Sequence, residues 1–169
     1  MKCYLTFVLG LVPITGMAIT PLNGGLVSGG TTVTINNGDG DQTLPHVSGN
    51  LAAYTDVADG HIHYYDFLSG IDGFVPGVSL GDTLSDVSGS RVAFTRQTPT
   101  NDFEVAVFDV SAGTVSLIDP HPGDLRLGAA LGGNTLVYVD FGTGTGSGDL
   151  FAVALPDGAP VLVSGSPLQ

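Results

Sequence analysis

Apolar residues in this chain fall in short runs broken by glycine, serine and aspartate, and three of these runs read as the same strand. In Leu51-Ala52-Ala53-Tyr54-Thr55-Asp56, Arg91-Val92-Ala93-Phe94-Thr95-Arg96 and Thr135-Leu136-Val137-Tyr138-Val139-Asp140, the side-chain period of two puts Ala52, Val92 and Leu136 on one face with Tyr54, Phe94 and Tyr138. Ala53, Ala93 and Val137 fall on the other face and are also apolar. A strand apolar on both faces has to be covered on both sides. Further strands are predicted before these runs at 43–47, 83–87 and 127–131, and after them within 62–70, 105–113 and 150–155. A last strand in each unit is predicted at 74–80, 114–118 and 160–164. One more, at 31–35, precedes the first unit as an outer strand. No helical period stands out beyond the N-terminus.

These strands recur as units. Gly49, Gly89 and Gly133 each follow a small residue and open the central strand, where glycine supplies the positive φ of a tight turn. Their spacings of 40 and 44 residues are those of four-stranded propeller blades. A second motif keeps nearly the same phase. Ile62-His63-Tyr64-Tyr65-Asp66-Phe67-Leu68-Ser69-Gly70 matches Val105-Ala106-Val107-Phe108-Asp109-Val110-Ser111-Ala112-Gly113, and a third copy at 150–158 departs from it at Ala154-Leu155-Pro156. The expected fold is therefore all-β, about three four-stranded antiparallel blades, with repeats near 41–80, 81–124 and 125–164. At these two motifs the chain resembles the TolB-like β-propeller repeat family across roughly 31–164. The resemblance implies an extracytoplasmic location and a role in binding or assembly, and it brings no catalytic residues. Three blades leave two faces open. The chain is then a piece of a longer protein, half of a six-bladed ring made by two copies, or an open sandwich of the same strands.

The first 18 residues read as an export signal: Lys2, an apolar run over 4–14, then Gly16-Met17-Ala18 with small residues at the cleavage positions. Residues 19–30 read as a linker and 31–169 as the repeat domain. The run is too short to span a bilayer, and a buried first strand is the alternative. Cleavage after Ala18 removes the single cysteine, Cys3. The mature chain is expected in the periplasm or outside the cell, without membrane insertion.

Sixteen acids stand against four bases, for a net charge of −12. That balance excludes nucleic acid and anionic lipid as partners, because Lys and Arg carry most of that affinity. The aspartates suit turns, which they cap with their own side chains.

The candidate chemistry is sparse. His61 and His63 share one strand face and make weak metal candidates, with His46 or His121 as a third ligand. Asp39 and Asp41, in Asn37-Gly38-Asp39-Gly40-Asp41, resemble the start of a calcium loop but lack the glycine and glutamate that complete one. No cofactor is expected, with calcium as the alternative. The glycine-rich 142–148 has no lysine and leads into a strand, so it reads as a hairpin loop rather than a phosphate cradle. Asp82 and Asp86 lie four apart on a predicted strand, hence on one face, where a carboxylate pair could serve glycoside chemistry. Counting back from the repeat glycines, Gln42, Asp82 and Arg126 are equivalent, as are His46, Asp86 and Ala130. Their divergence at matched places marks Gln42, Asp82, Arg126, His46 and Asp86 as candidate ligand-rim residues free of packing duty. The expected function is a non-enzymatic exported scaffold that binds a protein or glycan. The alternatives are an accessory propeller domain of a secreted hydrolase or lyase, and a calcium-stabilised surface adhesin. Self-association is a further expectation.

Overall fold

The computed structural model describes residues 6–9, 31–77, 81–142 and 147–164. A two-stranded sheet, β1 (Thr6–Leu9) and β2 (Thr31–Thr34), comes first. Blade 1 follows as β3 (Gln42–Ser48), β4 (Leu51–Asp56), β5 (His61–Asp66) and β6 (Ile71–Phe74). Blade 2 is β7 (Thr83–Ser88), β8 (Arg91–Gln97), β9 (Phe103–Asp109) and β10 (Thr114–Leu117). Blade 3 is β11 (Arg126–Gly132), β12 (Thr135–Asp140), β13 (Asp149–Ala154) and β14 (Val161–Ser164). Each blade is an antiparallel meander in which strands pair with their chain neighbours. The first strands converge, β3 beside β7 and β7 beside β11.

Strands apolar on both sides are covered on both sides by stacking. Ala53 and Ile62 of blade 1 pack against Val92 and Phe94 of blade 2. On the other side of blade 2, Ala93 and Val105 pack against Leu136 and Tyr138 of blade 3. The rear of blade 1, Ala52 and Tyr54, is covered by Val33 and Ile35 at the end of β2. Burial of these residues supplies the main stabilisation, at roughly 25 cal/mol per Å² of apolar surface.

The turns match the repeat glycines. Gly49, Gly89 and Gly133 take φ of 57°, 59° and 59°, the left-handed region that a side chain makes costly. The second turn is closed by aspartate in two blades: Asp66 accepts from Leu68 N and Asp109 from Ser111 N, both at 2.9 Å. In blade 3, Ala154 stands there, and the turn closes through Gly158 N donating to the Ala154 carbonyl at 2.6 Å. Leu155 turns inward to the core.

One expectation changes. The last strand of blade 1 is Ile71–Phe74, not 74–80, because the Asp66 turn leads straight into it; Val75, whose N–H donates to the Ile62 carbonyl at 2.8 Å, is buried between blades 1 and 2. Residues 78–80 of the expected strand lie outside the described residues. The stretch read as an export signal contains β1, which pairs with β2 from Leu9 opposite Thr31 to Thr6 opposite Thr34. The rest of 1–30, including the linker at 19–30, lies outside the described residues, as does 143–146 of the glycine-rich loop.

A charged rim closed by internal clasps

Each blade brings the start of its first strand, the end of its second and the start of its third to one rim, and most of the singled-out residues gather there. Each rim holds one clasp between positions fourteen residues apart. In blade 2, Arg96 Nε donates to both oxygens of Asp82 at 3.1 and 3.2 Å, and Nη2 donates to Oδ2 at 2.6 Å. In blade 3 the charges are exchanged: Arg126 Nε donates to Asp140 Oδ2 at 2.8 Å. Blade 1 uses a neutral version, Gln42 Nε2 donating to Asp56 Oδ2 at 3.5 Å and Asn36 Nδ2 to the same oxygen at 3.2 Å. The guanidinium groups lie over the aromatic of the second strand, Arg96 over Phe94 at 5.0 Å and Arg126 over Tyr138 at 5.7 Å, a cation–π geometry. In blade 1, Tyr54 stacks instead on His63 at 5.6 Å.

The clasps also hold the connection that enters each blade. Arg96 Nη2 donates to the Pro76 carbonyl at 3.1 Å. Arg126 Nη1 donates to the carbonyls of Ile118 and Asp119, and Asn36 itself lies on the corresponding connection. Gln42, Asp82 and Arg126 are therefore buried and carry packing duty. Their divergence reflects three ways of filling one buried site rather than freedom from it.

Asp82 and Asp86 do not share a face. The ladder between β7 and β8 slips between Leu84 and Asp86, and the extra residue of a bulge reverses which side the following positions present. Asp82 joins Arg96 on the rear of blade 2. Asp86 lies on the front, opposite Ala93, where its Oδ1 is 3.2 Å from His46 Nδ1 and its Oδ2 accepts from Leu131 N at 2.7 Å. One carboxylate thus ties β7 to both β3 and β11. The same slip occurs in β3 between Thr43 and His46 and in β11 between Leu127 and Ala130.

The remaining candidates are apart. His61 and His63 do share a face, both against Phe74, and His63 Nε2 is 2.8 Å from Asp59 Oδ2. His46 sits by the converging strands and His121 beside Arg126 in another blade. Asp39 and Asp41 are exposed in the loop before β3. Among the described residues, no group of three His, Cys, Asp or Glu is placed to hold a metal ion.

Glu104 is the functional-looking residue that sequence reasoning missed. It is buried beside Arg126, with Nη1 3.6 Å from Oε2, and its Oε1 accepts from His121 N at 3.0 Å. Among the described residues, Oε2 has no hydrogen-bond partner. Burial pushes this carboxyl up, with Arg126 opposing. His121 Nδ1 lies 2.7 Å from Arg126 Nη2 and 2.9 Å from the Asp119 carbonyl. Burial likewise raises Tyr54, to about 12, against the hydrogen bond from Asn36. At Asp59, desolvation works upward, but the His61 N–H and the His63 ring outweigh it and hold the carboxyl below its ordinary value.

On the opposite rim, two clefts follow the seams between blades. One of about 310 Å³ is lined by Ser48, Asn50, Asp66, Ser90 and Ser111. The other, of about 220 Å³, is lined by Arg91, Asp109, Thr114, Leu155 and Pro156. They form only when blades stack, so the repeat alone does not reveal them.

Solved structures share this architecture. TolB from Acinetobacter baumannii superposes with a TM-score of 0.60 at 17% identity, over 84% of this chain and 37% of its own. The TolB-like propeller fold is established. A TolB homologue from Agrobacterium tumefaciens gives 0.59 at 15% identity, over 80% of this chain and 53% of its own. Oligogalacturonate lyase in complex with manganese gives 0.57 at 10%, over 82% of this chain and 46% of its own. The chain thus spans between about a third and a half of these propellers. No protein-family model matches the sequence, and no curated protein matches it by sequence.

Proposed function

We propose that the chain is a non-enzymatic, exported propeller module that acts as a scaffold for a protein partner outside the cytoplasm. The observation that carries this reading is the state of the rim carboxylates. Asp82 is held by Arg96, Asp140 by Arg126, and Asp86 by His46 and Leu131 N. Glycoside hydrolysis needs two carboxyls flanking one bond, one of them free to deliver a proton, whereas Asp82 and Asp86 face opposite sides of a blade. The structure of the nidogen/laminin complex also contains a similar fold, with a TM-score of 0.57 at 14% identity over 82% of this chain and 54% of the other. That likeness supports a protein partner over a glycan. With a net charge of −12, the partner presents a basic face, because complementary charge speeds encounter and excludes like-charged proteins. Among the described residues no helix is long and apolar enough to cross a membrane, and the first 18 residues serve as the export signal.

Two measurements test the proposal. The purified chain is assayed against polysaccharides, esters and peptides, with no turnover expected. Turnover abolished by Asp82→Asn or Asp86→Asn would overturn the non-enzymatic reading. Cell fractionation of a C-terminally tagged chain is expected to place it outside the cytoplasm, shortened by about the length of a signal peptide.

A further inference from the structure

Consecutive blades are seated by apolar packing and by hydrogen bonds from the forward side of one blade to the first strand of the next. Ser48 Oγ accepts from Gly89 N and Ser88 Oγ from Gly133 N, both at 3.1 Å. Thr55 Oγ1 accepts from Leu84 N at 3.0 Å, and Asp86 accepts from Leu131 N. On the forward side of blade 3 the matching positions are Gly132, Val139 and Ala130. Every one has lost its acceptor. What remains is mainly apolar: the ladder places Leu127, Val139 and Leu150 in one row, ending in Ser164, and Ala130, Val137, Ala152 and Val161 in the next. None of these residues belongs to the three packed clusters, and Val161 is 64% exposed.

We infer that the forward face of blade 3 is the contact surface for a second copy of this chain, blade 3 against blade 3 about a two-fold axis. Charge selects the occupant. Two copies each carrying −12 repel where carboxylates meet, and this face presents no charged side chain in either row. A two-fold contact requires a patch complementary to itself, which rows of valine and leucine on a sheet provide. A further blade seated as blades 2 and 3 are would instead find none of these side-chain acceptors for its first strand, including the buried one that Thr55 gives to Leu84 N, whose loss is costly. A ring closed by two copies is blocked at its other end as well, because β2 already covers the rear of blade 1. Four strands about 4.8 Å apart and six residues long span about 400 Å² per copy, which places the contact in the small, readily dissociating class.

The test is sedimentation equilibrium of the full chain from about 5 to about 500 µM, a range that brackets such contacts. A reversible dimer is expected. Val137→Lys at the middle of the face weakens it by about tenfold or more through paired like charges. Ala130→Asp, which restores the residue of the matched site in blade 2 at an exposed position, does the same, and it decides the matter if Val137→Lys loses its β-sheet circular dichroism. In a Cys3→Ser background, Ala152→Cys is expected to form a disulfide with itself across the axis, while Ser90→Cys is not. A folded chain that stays monomeric throughout overturns the inference. So does a dimer indifferent to Ala130→Asp, or one in which Ala152→Cys fails to link, since contact then lies elsewhere.

Discussion

In blade 2 the acid of the rim clasp stands on the first strand and the guanidinium on the second; in blade 3 they have changed places. The backbone does not register the exchange: both pairs are fourteen residues apart, both guanidiniums cover the aromatic of the second strand, and both reach a carbonyl of the incoming connection. What the site demands is a carboxylate with a matched donor, not a particular residue at either end. The surroundings do differ. Asp82 meets its single arginine in three hydrogen bonds, while Arg126 serves Asp140, Glu104 and Asp124 together. Blade 2 holds a closed pair, and blade 3 holds a cation on which several acids depend.

That contrast can be broken or sharpened. Arg126→Ala should be the most damaging change, about 3–5 kcal/mol in urea unfolding, because it strands buried carboxylates without a counter-charge. Next comes a polarity exchange in blade 2. Asp82→Arg and Arg96→Asp should each destabilise by several kcal/mol, while the double variant, which copies blade 3, recovers more than about 1 kcal/mol of their sum. A strictly additive pair would show that the two clasps are not interchangeable. Glu104→Gln should be mild and favourable at pH 7, about 1 kcal/mol, since it removes a buried charge with an unbonded oxygen and keeps the acceptor for His121 N. The sign follows from the raised carboxyl: a group whose folded value lies above its unfolded one costs stability at high pH and returns it as pH falls through the folded value. The advantage of Glu104→Gln should therefore shrink as pH is lowered towards the ordinary glutamate range in parallel denaturation curves. Gly89→Ala and Gly133→Ala should cost least, about 1 kcal/mol each, and equally. Both have positive φ and open space around the added carbon, so the cost is one of backbone alone. Unequal costs would mean that the blades differ in their turns as well as in their rims.

The strands, their order and their stacking were legible because they rest on local and periodic signals. Alternation marked Tyr54, Phe94 and Tyr138 as one face, and all three are buried between layers. Glycine marked the turns by the conformation it permits. The rim was misread for a physical reason: equivalence was recognised at Gln42, Asp82 and Arg126, but a pair is visible only when the residue fourteen positions on is brought beside it. The bulge that separates Asp82 from Asp86 leaves no residue type as a marker, since its sites hold Leu44, Ser85 and Gly128 in the three blades. The seam clefts and the unbonded oxygen of Glu104 arise from one sheet lying on another and have no local signature.

By itself the sequence determined a three-fold repeat of four-stranded sheets, because side-chain period, turn glycines and two-sided apolarity are properties of a few neighbouring residues. Tertiary structure alone decided that the divergent rim residues are clasps, that the two aspartates face apart, and that the forward face of blade 3 lacks the acceptors that seat the earlier blades. Those outcomes depend on which residues meet across strands and between layers, and burial fixes their energy only after the sheets have stacked.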